Sequence, residues 1–202
     1  MAPLIGIIMR NSLSQTGRNI GIVYDDVVSS VIKSGGMPVM IPNDNIYRYL
    51  DICAGFILQG GDDISDDNLK LLRVLIKHDI PTLGICLGMQ EMAIIDGGKL
   101  YDIMNHNGNI LHEITVNKDS LLYKIIGVSK IIVNSRHKSA VIDTNLNISS
   151  ISDDNIIESI EDDKLKFFIG LQWHPENMYD NDINSRKIFD YFIKVCNDYA
   201  YE

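Results

Sequence analysis

Four short apolar runs punctuate the first hundred residues, and a helix-length segment follows each of them but one. The runs are "PLIGIIM" (3–9), "MPVMIP" (37–42), "AGFILQ" (54–59) and "TLGI" (82–85). Each is strand-length and apolar at consecutive positions, the pattern of a strand buried on both faces. Residues 24–34 carry Val27, Val28, Val31 and Ile32 at helical spacing and stop at Gly35 and Gly36. Leu69, Leu72, Leu75 and Ile76 repeat that spacing over residues 66–78, and "LGMQEMAIID" reads as a third helix closed by Gly97 and Gly98. Residues 10–22 are polar and read as turns. Strands alternating with helices predict an α/β fold, with a mostly parallel central sheet covered by helices on both faces.

Beyond residue 100 the texture changes. β-like runs follow one another at 112–116, 130–135, 147–152, 155–161 and 167–173, and Ile151 and Ile157 flank the turn signal "SDDN" as in a hairpin. This predicts a smaller antiparallel β portion in the second half. A last helix, about 184–199, aligns Ile188, Phe189, Phe192, Ile193 and Cys196 on one face. With no repeat and no linker, residues 1–202 read as a single domain, and 46% hydrophobic residues suffice for a large core. The net charge of −9 argues against a nucleic-acid partner, which needs a basic face. No apolar run approaches the roughly 20 residues of a membrane span. The first residues show neither a basic leader nor a small-residue cleavage site, so a cytoplasmic location is expected. Cys53, Cys86 and Cys196 are too few and too scattered for a disulfide framework or a zinc site, and read as free thiols.

One of these thiols is placed differently. Cys86 lies between Gly84 and Gly88 where the fourth apolar run turns into a helix. Gly-x-Cys-x-Gly at a strand-to-helix junction has the form of a nucleophile elbow, which lifts a reactive side chain to the carboxyl edge of the sheet. The helix N-terminus beneath it favours negative charge, and the N–H of Leu87 is poised as an oxyanion donor. Taken alone, the motif fits a buried packing cysteine as well. Two other strand ends add to it. His174 follows the run 167–173, with Pro175 and Glu176 behind it, so a base and a group to orient it sit within one rigid turn. Gly60 and Gly61 follow the run 54–59 and offer further backbone N–H groups. A strand-end histidine and a glycine loop are each ordinary. The three together point to covalent catalysis.

At these residues the chain resembles the class I glutamine amidotransferase superfamily, and within it the γ-glutamyl hydrolase-like branch (γ-glutamyl-γ-aminobutyrate hydrolase-like). The similarity covers nearly the whole chain and implies a flavodoxin-like, three-layer arrangement. "GICLGMQ" is similar to the nucleophile motif, which makes Cys86 the nucleophile; "LQWHPE" is similar to the base motif, which makes His174 the base and Glu176 its orienter. "LQGGDDI" resembles the branch's oxyanion loop and "GGKLYDI" the segment after the elbow helix. "VNSRHKSAV" resembles a motif whose loop helps hold the glutamyl group, which brings in Ser135 and His137; Gln90 falls where the family contacts that group. Lys138 and Ser139 depart from the motif's second histidine and its glutamine, Leu87 replaces an arginine common in the hydrolase branch, and the segment between glycine loop and elbow strand is short.

The resemblance implies hydrolysis of a γ-glutamyl amide through a thioester, with glutamine or another small γ-glutamyl compound as substrate. A glutaminase subunit feeding ammonia to a synthase partner is the alternative, and a non-catalytic binding protein on the same fold is disfavoured because Cys86, His174 and Glu176 are all present. A homodimer is compatible with either enzyme. No cofactor is expected. No metal is expected either, since His78, His106 and His112 show no ligand spacing. The leaving amine stays open.

Overall fold

The computed structural model describes residues 1–42, 46–104 and 106–200. The first half runs β1 (Leu4–Ile8), β2 (Arg10–Leu13), β3 (Asn19–Ile22), α1 (Asp25–Lys33), β4 (Met37–Ile41), β5 (Gly55–Leu58), α2 (Asp66–Lys77), β6 (Thr82–Ile85) and α3 (Leu87–Ile95). The second half follows with β7 (Lys99–Asp102), β8 (Ile110–Val116), α4 (Leu121–Ile126), β9 (Lys130–Ser135), β10 (Ser139–Asp143), β11 (Asn147–Ser152), β12 (Ile157–Glu161), β13 (Phe168–Leu171) and α5 (Ile183–Tyr199).

The four apolar runs of the first half become neighbouring parallel strands, and a late strand joins them, in the order β4-β1-β5-β6-β13. From β13 the sheet continues antiparallel through β12, β11, β8 and β9, while β7 and β10 form a side branch on β12. Consecutive side chains go to opposite faces. Ile57 packs in one layer with Val27 and Val31 of α1 and Phe189, Phe192 and Ile193 of α5. Phe56 and Leu58 pack in the other with Leu71, Leu72 and Leu75 of α2 and Met89 and Met92 of α3. Every residue of β5, β6 and β13 is buried, which is why these strands read as unbroken apolar runs. The result is the flavodoxin-like, three-layer α/β arrangement with an antiparallel extension.

Other elements differ from expectation. Residues 10–22 hold the β2–β3 hairpin, paired from Arg10↔Ile22 to Leu13↔Asn19. Its strands are largely exposed and lack an apolar alternation. α4 has six residues, too few for periodicity to register. Capping holds it instead: Ser120 accepts from the Tyr123 N–H, Glu161 accepts from the N–H groups of Leu121 and Leu122, and Gly127 ends it at φ 80°. The strands β7 and β10, unrecognised in the sequence, pair with each other on an exposed margin.

The glycines around Cys86 are set by distance. A Cβ on Gly88 would lie 2.1 Å from the Leu58 carbonyl oxygen, and one on Gly84 would lie 2.8 Å from the Gly88 carbonyl carbon. Helix α3 thus rests on β5 and β6 at backbone contact. Gly→Ala inside a helix ordinarily stabilises by about 0.5–1 kcal/mol. Here the added methyl meets backbone, which cannot swing aside, so Gly88→Ala is expected to destabilise by about 1–3 kcal/mol. Denaturant unfolding checks this, and an unchanged or raised midpoint would contradict the contact.

Candidate active site

Cys86 sits between β6 and α3 with φ 52° and ψ −104°, a left-handed conformation for a residue with a side chain. Such strain costs of order 1–3 kcal/mol and survives only where the surroundings enforce it. The enforcement is visible: the Cys86 N–H donates to the Leu171 carbonyl at 2.7 Å, its carbonyl accepts from the Gln90 N–H, and the two glycines press the helix onto the strands. The side chain emerges at the carboxyl end of β6, where Gln172 Nε2 lies 3.7 Å from Sγ.

His174 leaves the neighbouring strand β13 and begins a single 3-10 turn, Pro175–Asn177. His174 lines the same cavity as Cys86, and its ring Nδ1 stands 2.7 Å from Glu176 Oε1. A carboxylate only accepts, so Nδ1 carries the proton. Burial alone would push the imidazole pKa down. The hydrogen bonds and charges of Cys86 and Glu176 outweigh it and raise the pKa from 6.5 to about 10. The main chain at His174 is clamped by Asn134, whose amide accepts from the His174 N–H at 2.8 Å and donates to its carbonyl at 3.0 Å. This role of Asn134 escapes the sequence, although the residue stands in "VNSRHKSAV".

Gly60 and Gly61 cross in front of the elbow. A Cβ on Gly60 would stand 3.0 Å from His174 Cε1, and one on Gly61 3.0 Å from both Leu87 Cδ2 and Arg10 Nε. The loop is anchored by Arg10, whose Nε donates to the carbonyls of Gln59 and Gly60 at 3.1 and 3.3 Å. Arg10 in turn forms a buried two-bond pair with Glu91 of α3, at 2.9 and 3.1 Å. Asn68 and the Ser65 N–H complete the carboxylate's partners. Neither Arg10 nor Glu91 stands out in the sequence, because their interaction links positions 81 residues apart.

A cavity of about 280 Å³ opens over the thiol, lined by Tyr24, Gly60, Asp62, Cys86, Arg136 and His174 among others. A second, of about 300 Å³, shares Tyr24, Gly61 and Asp62 with it and reaches Arg10 and Ser12. Leu87 opens α3 and is buried. Gln90 lies beneath the cavity, its Nε2 donating to the Ser139 carbonyl at 2.8 Å and to Gln172 Oε1 at 3.1 Å. Ser135 is fully buried and donates to the His106 carbonyl, and His137 turns toward Glu158. Of the "VNSRHKSAV" segment it is Arg136 that reaches the cavity, a residue the sequence reading passed over. His106 and His112 gather with His137 around Glu158; His78 is exposed at the end of α2.

Residues 65–176, more than half the chain, match the Peptidase C26 family. Over 99% of its length the chain is 24% identical to the γ-glutamyl-γ-aminobutyrate hydrolase PuuD of Escherichia coli (strain K12), covering 96% of that protein. It is 26% identical to protein NtpR of Enterococcus hirae, over 96% of this chain and 99% of that one. Among solved structures, the glutaminase domain of Trypanosoma brucei CTPS with bound acivicin superposes with a TM-score of 0.72 at 17% identity, over 98% of this chain and 94% of that chain.

Burial pushes the Cys53 thiol up to about 11 and the Cys196 thiol well above the ordinary range. Cys86 alone of the three lines the cavity. A glutamine-analogue electrophile followed by peptide mapping should label Cys86 first; labelling of Cys196 ahead of it would contradict the site. Glu176→Gln keeps an acceptor for the Nδ1 proton but removes the negative charge beside the ring, so the ring pKa should fall from about 10 toward 6.5. Titration of the ring by NMR measures it directly, and an unmoved value would mean that Glu176 does not set the ring's protonation.

Proposed function

The chain belongs to the Peptidase C26 family, and from that premise we propose that it hydrolyses a γ-glutamyl amide through a covalent thioester on Cys86. The observation that carries the reading is that Cys86, His174 and Glu176 line one cavity, with His174 held by the Glu176 carboxylate. With the proton resident on His174, the thiolate of Cys86 attacks the side-chain carbonyl carbon of the glutamyl group. The C=O pair moves onto oxygen, where the N–H groups of Leu87 and of the Gly60–Gly61 loop receive it. His174 gives its proton to the leaving amine as the C–N bond breaks. It then takes a proton from water, which attacks the thioester and releases glutamate and the thiolate.

Arg136 at the cavity rim supplies a guanidinium for the substrate's α-carboxylate, and Asp26 and Asp62 supply negative charge for its α-ammonium. A cavity of about 280 Å³ suits the glutamyl group alone. The adjoining space across Tyr24, Gly61 and Asp62 has room for an amine larger than ammonia. The match to a protein named γ-glutamyl-γ-aminobutyrate hydrolase over 99% of the chain supports the same reading. A second reading, a glutaminase unit serving a synthase, is favoured by the likeness in fold to a glutaminase domain.

The purified chain, assayed alone against glutamine and a panel of γ-glutamyl amines, separates the two. Cleavage of a γ-glutamyl amine well ahead of glutamine supports the hydrolase; trace glutaminase activity raised by orders of magnitude with a synthase supports the subunit. Cys86→Ala is expected to lose on the order of 10⁴-fold or more in kcat, and full retained activity would end the covalent mechanism. Arg136→Gln should raise KM by about 10–100-fold with kcat little changed, the signature of a lost charge-assisted substrate contact.

A further inference from the structure

Behind the Arg136 wall lies a cluster of titratable side chains that the reaction above does not use. His106 precedes β8, His112 lies on β8, His137 sits between β9 and β10, and Glu158 is on β12. His106, His137 and Glu158 are buried, and His112 is largely so. Three imidazole nitrogens converge on one carboxylate oxygen, Glu158 Oε1: His112 Nε2 at 3.2 Å, His106 Nδ1 at 3.4 Å and His137 Nε2 at 3.8 Å.

The outward-facing atoms decide what these nitrogens carry. His137 Nδ1 lies 3.0 Å from the Ser139 carbonyl oxygen, which can only accept, so Nδ1 bears hydrogen. His106 Nε2 lies 3.0 Å from an Asp154 carboxylate oxygen and bears hydrogen for the same reason. In the neutral rings, His106 Nδ1 and His137 Nε2 therefore present lone pairs inward. Both are buried without a hydrogen-bond partner, as is Glu158 Oε2. Lone pairs facing a carboxylate repel unless a cation stands between them. One ligand atom each of His106, His112 and Glu158 lies within 4.8 Å of the others, and His137 Nε2 stands 3.8 Å from Glu158 Oε1; ligands around one tetrahedral ion stand about 3.3 Å apart, so a small inward rotation of these side chains would close them on it.

We propose that His106, His112, His137 and Glu158 bind one divalent transition-metal ion of the zinc class as a closed, four-coordinate site. Three imidazoles and a carboxylate make a donor set suited to such an ion, and the Asp154 and Ser139 contacts are the outer partners that fix ring orientation. The ligands come from four separate segments, so the ion ties the antiparallel extension together. It also fixes His137 beside Arg136, and through Ser139 it meets the Gln90 amide below the nucleophile cavity. The site is structural, and the ion takes no part in bond cleavage.

The test uses the full-length chain carrying Cys86→Ser, which removes the cavity thiol as a competing ligand. The protein is freed of metal by a chelator and titrated with Co²⁺ alone, read by its visible absorption, and then with Zn²⁺. One equivalent of Co²⁺ per chain, with tetrahedral bands displaced by Zn²⁺ and a rise in Tm on loading, is the expected result. Asp154→Asn should weaken binding about 10–100-fold by releasing the His106 ring. Glu158→Gln should weaken it by at least as much. His112→Asn replaces Glu158→Gln should the latter not fold, since His112 is the least buried ligand. Absence of saturable one-equivalent binding to the folded chain, an octahedral spectrum, or affinity unchanged in the folded ligand variant would each overturn the proposal.

Discussion

Backbone contact between α3 and the two strands beneath it is the constraint on which the site hangs. Because Gly88 lets the helix touch the Leu58 carbonyl, the first turn of α3 is drawn down until Cys86 has to adopt a left-handed conformation. The same descent brings Glu91 within reach of Arg10 and Gln90 within reach of Gln172. A helix lifted by one methyl would disturb the elbow, the glycine loop and the cavity floor together. The two glycines therefore serve distance more than flexibility; their own φ values are unexceptional.

The Arg10–Glu91 pair shows how a buried charge is tolerated there. Taking a carboxylate out of water costs several kcal/mol, and one partner rarely offsets it. Glu91 has three partners: the Arg10 guanidinium, and the Asn68 amide and Ser65 N–H at the start of α2. Arg10 adds bonds to the carbonyls of Gln59 and Gly60. The network thereby converts an electrostatic cost into positional definition of the glycine loop, since moving the loop would leave a buried guanidinium short of acceptors.

Legibility from sequence followed the range of the interactions. The parallel strands and their helices were readable because burial on both faces writes itself into consecutive residues, as in "AGFILQ" and "TLGI". The elbow was readable because glycine spacing is local. His174 and Glu176 were readable as a pair for the same reason, and they are hydrogen-bonded to each other. Arg10, Asn134 and Glu158 were opaque, each deriving its meaning from a partner dozens of residues away. His137 was expected beside the substrate and lies one residue out of place, with Arg136 taking the cavity. Both residues lie in the short connection between β9 and β10, where no strand or helix period says which side chain faces the cavity.

Strand β13 carries a consequence for how the chain assembles. It comes last among the strands, yet it occupies the middle of the sheet, bonded to β6 on one edge and β12 on the other. During vectorial synthesis β6 emerges some eighty residues before the strand that completes it, and its open edge waits. Such late, long-range pairing is slow and leaves an apolar edge exposed to other chains in the interval. His174 arrives just after that same strand, so it joins Cys86 at the cavity only when the sheet closes. Completion of the sheet and completion of the cavity wall are therefore one event.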